Sequence, residues 1–308
     1  MESSAGVETS HGFHDRVPLP WRSAPVWPDN AAVAFAVLVS AEYYEMQPPE
    51  DAFIPPNVPG GFGRGPYPDF RTYTARAYGN RVGIFRLFEA LDRHGLAATV
   101  AIDALTAQYC PAVVTQTVQR GWEIAGHGQS VTRVISSNMG EVEERDYIKS
   151  SLDAIESACG TRPLGWHGPE YGESARTPTL LAELGVQYLL DWPNDEQPYA
   201  MMTPAGPITS IPVAIDCDDV FAQAHRRITT GRWAASVIEA LGRLAEDGRG
   251  SGRVLVLNLH PWLIGHPYRM TYLEDVLRYV AGRKDIWGTT TGAIAAWWNA
   301  HSGSISPR

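Results

Sequence analysis

Five side chains able to move protons stand immediately after short apolar runs: Glu42, His127, His167, Asp191 and His260. Each run reads as a buried strand, so each residue sits at a strand's C-terminal end. In a parallel α/β barrel those ends converge on one face, where catalytic groups gather. Residues far apart in sequence are therefore expected to share a cleft. A lone histidine is more often structural than catalytic, and five polar strand ends together weigh against that. His127 is flanked by Gly126 and Gly128, which permit a sharp turn and close ligand approach. A metal site built on His127 would want a second imidazole one helical turn on, and position 131 is valine. His260 precedes Pro261, which restricts its backbone.

Glu42 lies beside Tyr43 and Tyr44. The expectation is a carboxylate base whose apolar surroundings raise its pKa towards neutral. Glu45 reads as a solvated loop carboxylate. The turn 165–172 carries Trp166, His167 and Glu170 and offers backbone N–H groups and a ring to a small polar ligand. The acidic, aromatic loop 191–199, with Asp191 and Asp195, could anchor substrate N–H groups or be an exposed turn.

The elements that must position these groups alternate along the chain. Apolar strands are expected at 31–40, 96–102, 122–125, 163–166, 186–190, 208–213, 254–259 and 285–288. Helices are expected at 82–95, 112–120, 141–158, 177–184, 233–245, 272–280 and 292–300, several stopped by glycine. The segment 46–76 holds seven prolines and four glycines without periodicity and reads as a long ordered loop. About seven strand–helix alternations favour a closed barrel of parallel strands over an open sheet. Residues 1–30 form a Pro-rich arm, 31–300 one barrel domain and 301–308 a tail.

Composition bounds the partners. A formal net charge of −9 argues against nucleic acid and anionic membrane. The three cysteines contain no CxxC pair and are expected as neutral thiols in a reducing compartment. Positions 1–20 lack a basic start and apolar run, and no segment approaches a membrane span, so a cytoplasmic protein is expected.

The chain resembles the polysaccharide deacetylase (NodB-homology, carbohydrate esterase family 4) superfamily, and within it the branch of PuuE-type allantoinases and cyclic imidases. The matching segments are Tyr78-Gly79-Asn80-Arg81-Val82-Gly83, Glu123 to His127, Pro163-Leu164-Gly165-Trp166, Asp195-Glu196-Gln197-Pro198-Tyr199, and Leu259-His260-Pro261. The resemblance implies a single-domain distorted (β/α)7 barrel that hydrolyses carbon–nitrogen amide bonds. Metal-dependent members hold an ion with one Asp and two His. The corresponding places here carry Glu42, His127 and Val131, which implies ring opening of a small cyclic amide, imide or ureide with no metal cofactor.

On this reading Glu42 or His260 is the base, and His127 with Gly-turn amides stabilises the oxyanion. Trp166 and Asp195 orient the ring, with Tyr43, His167, Glu170 and Asp191 as further substrate contacts. The rivals are a metal-dependent N-acetyl deacetylase, with Zn on Glu42, His127 and His260, and a non-catalytic binding protein. The resemblance also implies a homo-oligomer, such as a tetramer.

Overall fold

The computed structural model describes residues 11–15, 17–22, 25–50, 52 and 68–301. Most of the Pro-rich loop, the first ten residues and 302–308 lie outside that set, and the aromatics Phe53, Phe62 and Tyr67 with them. The elements in order are β1 (Val33–Ala41), α1 (Phe70–Tyr78), α2 (Ile84–Arg93), β2 (Ala98–Ile102), α3 (Ala104–Tyr109), α4 (Pro111–Gln119) and β3 (Glu123–Gly126). Then come α5 (Glu141–Cys159), β4 (Gly165–Trp166), α6 (Thr177–Glu183), β5 (Tyr188–Leu189), β6 (Tyr199–Thr203) and β7 (Gly206–Ser210). The chain continues through α7 (Thr230–Asp247), β8 (Arg253–Leu259), α8 (Pro261–Ile264), α9 (Pro267–Ala281), β9 (Ile286–Thr289) and α10 (Thr291–His301).

Seven strands run parallel in the order β7-β5-β4-β3-β2-β1-β8, and β6 joins β7 antiparallel at one end. The sheet curls until a single bridge, Val213 to Val256, ties its two ends. β9 pairs with the lower half of β1, where β2 does not reach. This is the distorted barrel expected, closed at one seam by one bridge.

Side chains of a strand alternate between faces, and that parity decides what the site contains. On β1, Val33, Phe35, Val37 and Val39 pack outward against Leu87, Leu91, Trp233 and Leu273 of the helical layer. Ala34, Ala36 and Leu38 face inward with Ala101, Val254 and Val256. Small residues at 34 and 36 let the curled sheet approach itself. Continuing inward by twos from Leu38 gives Ser40 and then Glu42. On β8 the same count from Val254 and Val256 gives Asn258 and His260, and on β2 Ala101 gives Asp103. The barrel's polar mouth is thus the continuation of its apolar inner stripe.

Three elements depart from expectation. α1 forms inside the Pro-rich segment, because Asp69 caps it by accepting Thr72 N–H at 3.1 Å. Asp103 does the same for α3, accepting Thr106 N–H at 2.6 Å. The loop expected at 192–207 contains β6, whose hairpin with β7 supplies a barrel edge.

Candidate active site

At the mouth, Glu42 is 9 % exposed, with its Oε1 between two imidazoles: 3.8 Å from His127 Nε2 and 3.5 Å from His260 Nε2. Its Oε2 accepts from Arg76 Nη1 at 3.2 Å, and its backbone carbonyl accepts from Asn80 Nδ2 at 2.8 Å. Arg76 lies flat over Trp262, its Cζ 3.8 Å from the ring centroid. Burial alone would raise the Glu42 pKa, but His260, the nearby His127 imidazole and Arg76 hold it at about 2. The expected upward shift is therefore reversed. Tyr44 is present, but Arg76 and the two imidazoles outweigh the apolar surroundings.

His260 is an imidazolium at neutral pH. Burial opposes its charge, but Asp218, Asp219 and Glu42 push its pKa up to about 10. Its Nδ1 donates to Asp219 Oδ1 at 2.7 Å, and its backbone N–H is shared by both Asp219 oxygens at 3.1 Å. Nε2 is left facing Glu42. In this state His260 can act as an acid and cannot accept a proton, which removes it as resting base.

His127 Nδ1 donates to the carbonyl oxygen of His167, and its buried Nε2 has no hydrogen-bond partner. Burial opposes its charge too, but Glu42, His167 O and Asp103 raise its pKa above 6.5. Its ring stacks on His167 at 5.0 Å and 16°. His167 is pulled the other way, burial lowering its pKa despite its bond to Asp191 at 3.0 Å.

Of the other residues expected here, Glu170 belongs to the site. Its backbone is left-handed (φ 54°), and burial beside Glu42 raises its pKa. Tyr43 sits at the rim, its N–H held by Asp103 at 2.6 Å and its ring 5.5 Å from Tyr109. Asp191 is out of phase: Leu190 faces inward, so the carboxylate props His167 and Gly168 N–H from behind and does not reach the cleft. Glu45 is no solvated carboxylate, since Ser130, Thr132 and Arg133 all donate to it.

Two expectations fail. Trp166 is fully buried on the outer face among Tyr147, Ile148, Leu152 and Leu181, because its neighbour His167 takes the inward parity. Asp195 lies at the opposite end of the barrel. It pairs with Arg22 at 2.5 Å, and neighbouring Gln197 bonds Gly252 O at 3.0 Å, just before β8 begins. There it borders a cavity of about 780 Å³ with Trp21, Trp192 and Trp298. Three of the turn amides are committed: His127 N–H to Ile102, His167 N–H to Gly126 and Gly168 N–H to Asp191.

Sequence reading missed Arg76, Asp103, Asn258, Asp218 and Asp219. Strand parity points to Asp103 and Asn258. Arg76 lay in a segment read as loop, and Asp218 and Asp219 lie in the aperiodic stretch between Val213 and α7. Asn258 joins the halves, donating to Asp218 Oδ2 at 2.9 Å and accepting Ser40 Oγ at 2.8 Å.

Residues 78–189 match the family model described as polysaccharide deacetylase. That stretch, about a third of the chain, is similar to a polysaccharide deacetylase domain. A Schizosaccharomyces pombe protein named "Putative polysaccharide deacetylase" is 22 % identical over 89 % of this chain and 92 % of its own. A solved structure titled as a probable polysaccharide deacetylase from Pseudomonas aeruginosa superposes with TM-score 0.79 at 25 % identity, covering 90 % of this chain and 94 % of that one. Puue allantoinase superposes with TM-score 0.81 at 24 % identity over 90 % and 93 %, a likeness of fold. Together these matches place the chain among hydrolases of carbon–nitrogen bonds.

The family's divalent ion does not fit the donors present. Where the second imidazole would stand, Val131 is fully buried and its N–H is tied to Tyr43 O at 3.3 Å. A guanidinium already neutralises Glu42. Among the described residues the trio of ligand-type atoms lying within 4.8 Å of one another is Asp218, Asp219 and His260, not Glu42, His127 and His260. That trio's oxygens already accept from His260, Tyr171, Asn258 and Phe221.

Proposed function

We propose that the domain opens a small cyclic amide, imide or ureide by acid–base hydrolysis without a catalytic metal. The observation that carries this reading is one ionised carboxylate oxygen with an imidazole nitrogen on each side, at 3.8 and 3.5 Å, one of them already a cation. A water bridging Glu42 Oε1 and His127 Nε2 is oriented by the carboxylate, and Nε2 takes its proton as the oxygen attacks the ring carbonyl. Glu42, an ionised but feeble base, stabilises the imidazolium so formed. Arg76 and His260 supply the positive field for the oxyanion, in the place of the committed turn amides. His260 Nε2 then protonates the departing nitrogen, so ring opening releases no strongly basic amide ion. The buried site favours a small substrate over a polymer.

A second reading, removal of acetyl groups from an N-acetylated sugar, is favoured by the family-model match itself. Turnover measured on hydantoins, succinimide, dihydropyrimidines and allantoin beside N-acetylated amino sugars separates the two. The proposal expects ring opening, with kcat lowered by about 10²–10⁴ in His260→Ala. Turnover of the acetylated sugars alone contradicts it.

A further inference from the structure

A second buried carboxyl pair lies behind the site. Asp191 uses Oδ1 for His167 Nδ1 and Gly168 N–H, at 3.0 and 2.7 Å, while its Oδ2 is buried with no donor. Glu173 mirrors it: Oε2 accepts Trp192 Nε1 at 2.7 Å, and Oε1 is buried with no donor. The Trp192 bond ties Glu173 to the residue next to Asp191, and the Asp191 carboxylate is among the groups that raise the Glu173 pKa. Two orphaned anionic oxygens would repel at close range in a low-dielectric setting, whereas one shared proton satisfies both.

We propose that Glu173 is a positioning residue held as the neutral acid, whose O–H donates to Asp191 Oδ2 and thereby fixes His167 as the neutral tautomer protonated on Nδ1. Every bond along the line then has one donor and one acceptor, and the donations converge on Asp191. Trp192 donates to Glu173, Glu173 to Asp191, and His167 Nδ1 to Asp191 Oδ1. His167 Nε2 is left bare towards Asn258 Nδ2, 3.5 Å away, whose oxygen is occupied by Ser40. His167 in turn offers the carbonyl that holds His127 Nδ1.

With Glu173 ionised, the doubled negative charge would be balanced most cheaply by a proton on His167. That would set a second cationic imidazole, besides His260, against His127, whose Nε2 must stay free to take a proton. The titratable groups around Glu173 are Asp191 and Glu144, burial and Asp191 raise its pKa well above 4.5, and the rings of His11 and His14 meet Trp192 at 4.8 and 6.0 Å.

The test is spectroscopic and needs no substrate, so it stands apart from the reading of His127 and His260 as the catalytic pair. Infrared spectra of the full chain at pH 7 are compared with those of Glu173→Gln. A protonated carboxyl band present in the wild type and lost in the variant is expected, and its absence overturns the proposal. Nitrogen-15 spectra of the histidines should show His167 protonated on Nδ1 alone in the wild type. Glu173→Gln, whose amide can both donate and accept, should keep that pattern. Glu173→Ala should lose it, with kcat down about tenfold or more at unchanged KM. An Ala variant with wild-type His167 signals contradicts the proposal. Should Glu173→Ala fail to fold, the wild-type and Gln spectra decide it alone.

Discussion

Between its two imidazoles, Glu42 Oε1 is a fixed negative charge, and the two nitrogens beside it do opposite work. His127 must be neutral to take a proton from water, so activity appears as pH rises through its raised pKa, above 6.5. His260 must be charged to give one, so activity disappears as pH rises through about 10. The expected kcat/KM profile is a bell on the alkaline side of neutrality, and a plateau extending below pH 6 contradicts the assignment. Arg76 carries a stability prediction of its own. Arg76→Ala removes the cation bonded to a buried carboxylate and should cost about 3 kcal/mol in urea unfolding at neutral pH. Glu42 is depressed from 4.5 to about 2, so its ion pairs stabilise the fold above pH 4.5 and cease to do so as pH falls towards 2. The Arg76→Ala penalty should shrink over that window, and a loss independent of pH would mean that packing on Trp262 dominates.

The segment Tyr78 to Gly83 shows how elements serve these residues. Between α1 and α2 it forms a wide turn from which Asn80 holds the Glu42 carbonyl. Gly83 lets α8 lie directly against this turn: a Cβ there would meet Pro261 O at 2.1 Å and Pro261 C at 3.0 Å. Helix propensity alone makes Gly83→Ala stabilising by about 1 kcal/mol. The close approach makes it destabilising by about 1–3 kcal/mol. Because Pro261 follows His260, kcat should fall as well; a stabilised, fully active variant rules the contact out. Much of this layout was legible. The apolar runs gave the strands, and their ends gave Glu42, His127, His167 and His260. Counting strand ends without parity puts Asp191 in the cleft, although Leu190 holds the inward position; reading 165–172 as a ligand-binding turn puts the Trp166 ring there, although His167 holds it. Arg76 was hidden by the prolines upstream, and Asp218 and Asp219 by a stretch whose shape comes from tertiary contacts with His260 and Asn258. Asp195 was placed by the company of its loop, and only the barrel's closure puts it at the other end.

At the scale of the whole molecule, seven parallel strands joined by one bridge bring residues from 42 to 260 within bonding distance around a single carboxylate. No described helix is long and apolar enough to cross a membrane. The same barrel contains the segment 78–189 that matches the polysaccharide deacetylase model, yet Val131 and Arg76 stand where a divalent ion would need a ligand and a free carboxylate. The central claim is that proton transfer by the two imidazoles, His127 from water and His260 to the departing nitrogen, takes the place of that ion. Ring-opening turnover by the purified chain after exhaustive EDTA treatment, with bound metal quantified, tests it most directly. The account predicts unchanged kcat/KM with metal far below one ion per chain. Activity that vanishes with EDTA and returns in proportion to added Zn²⁺ contradicts it.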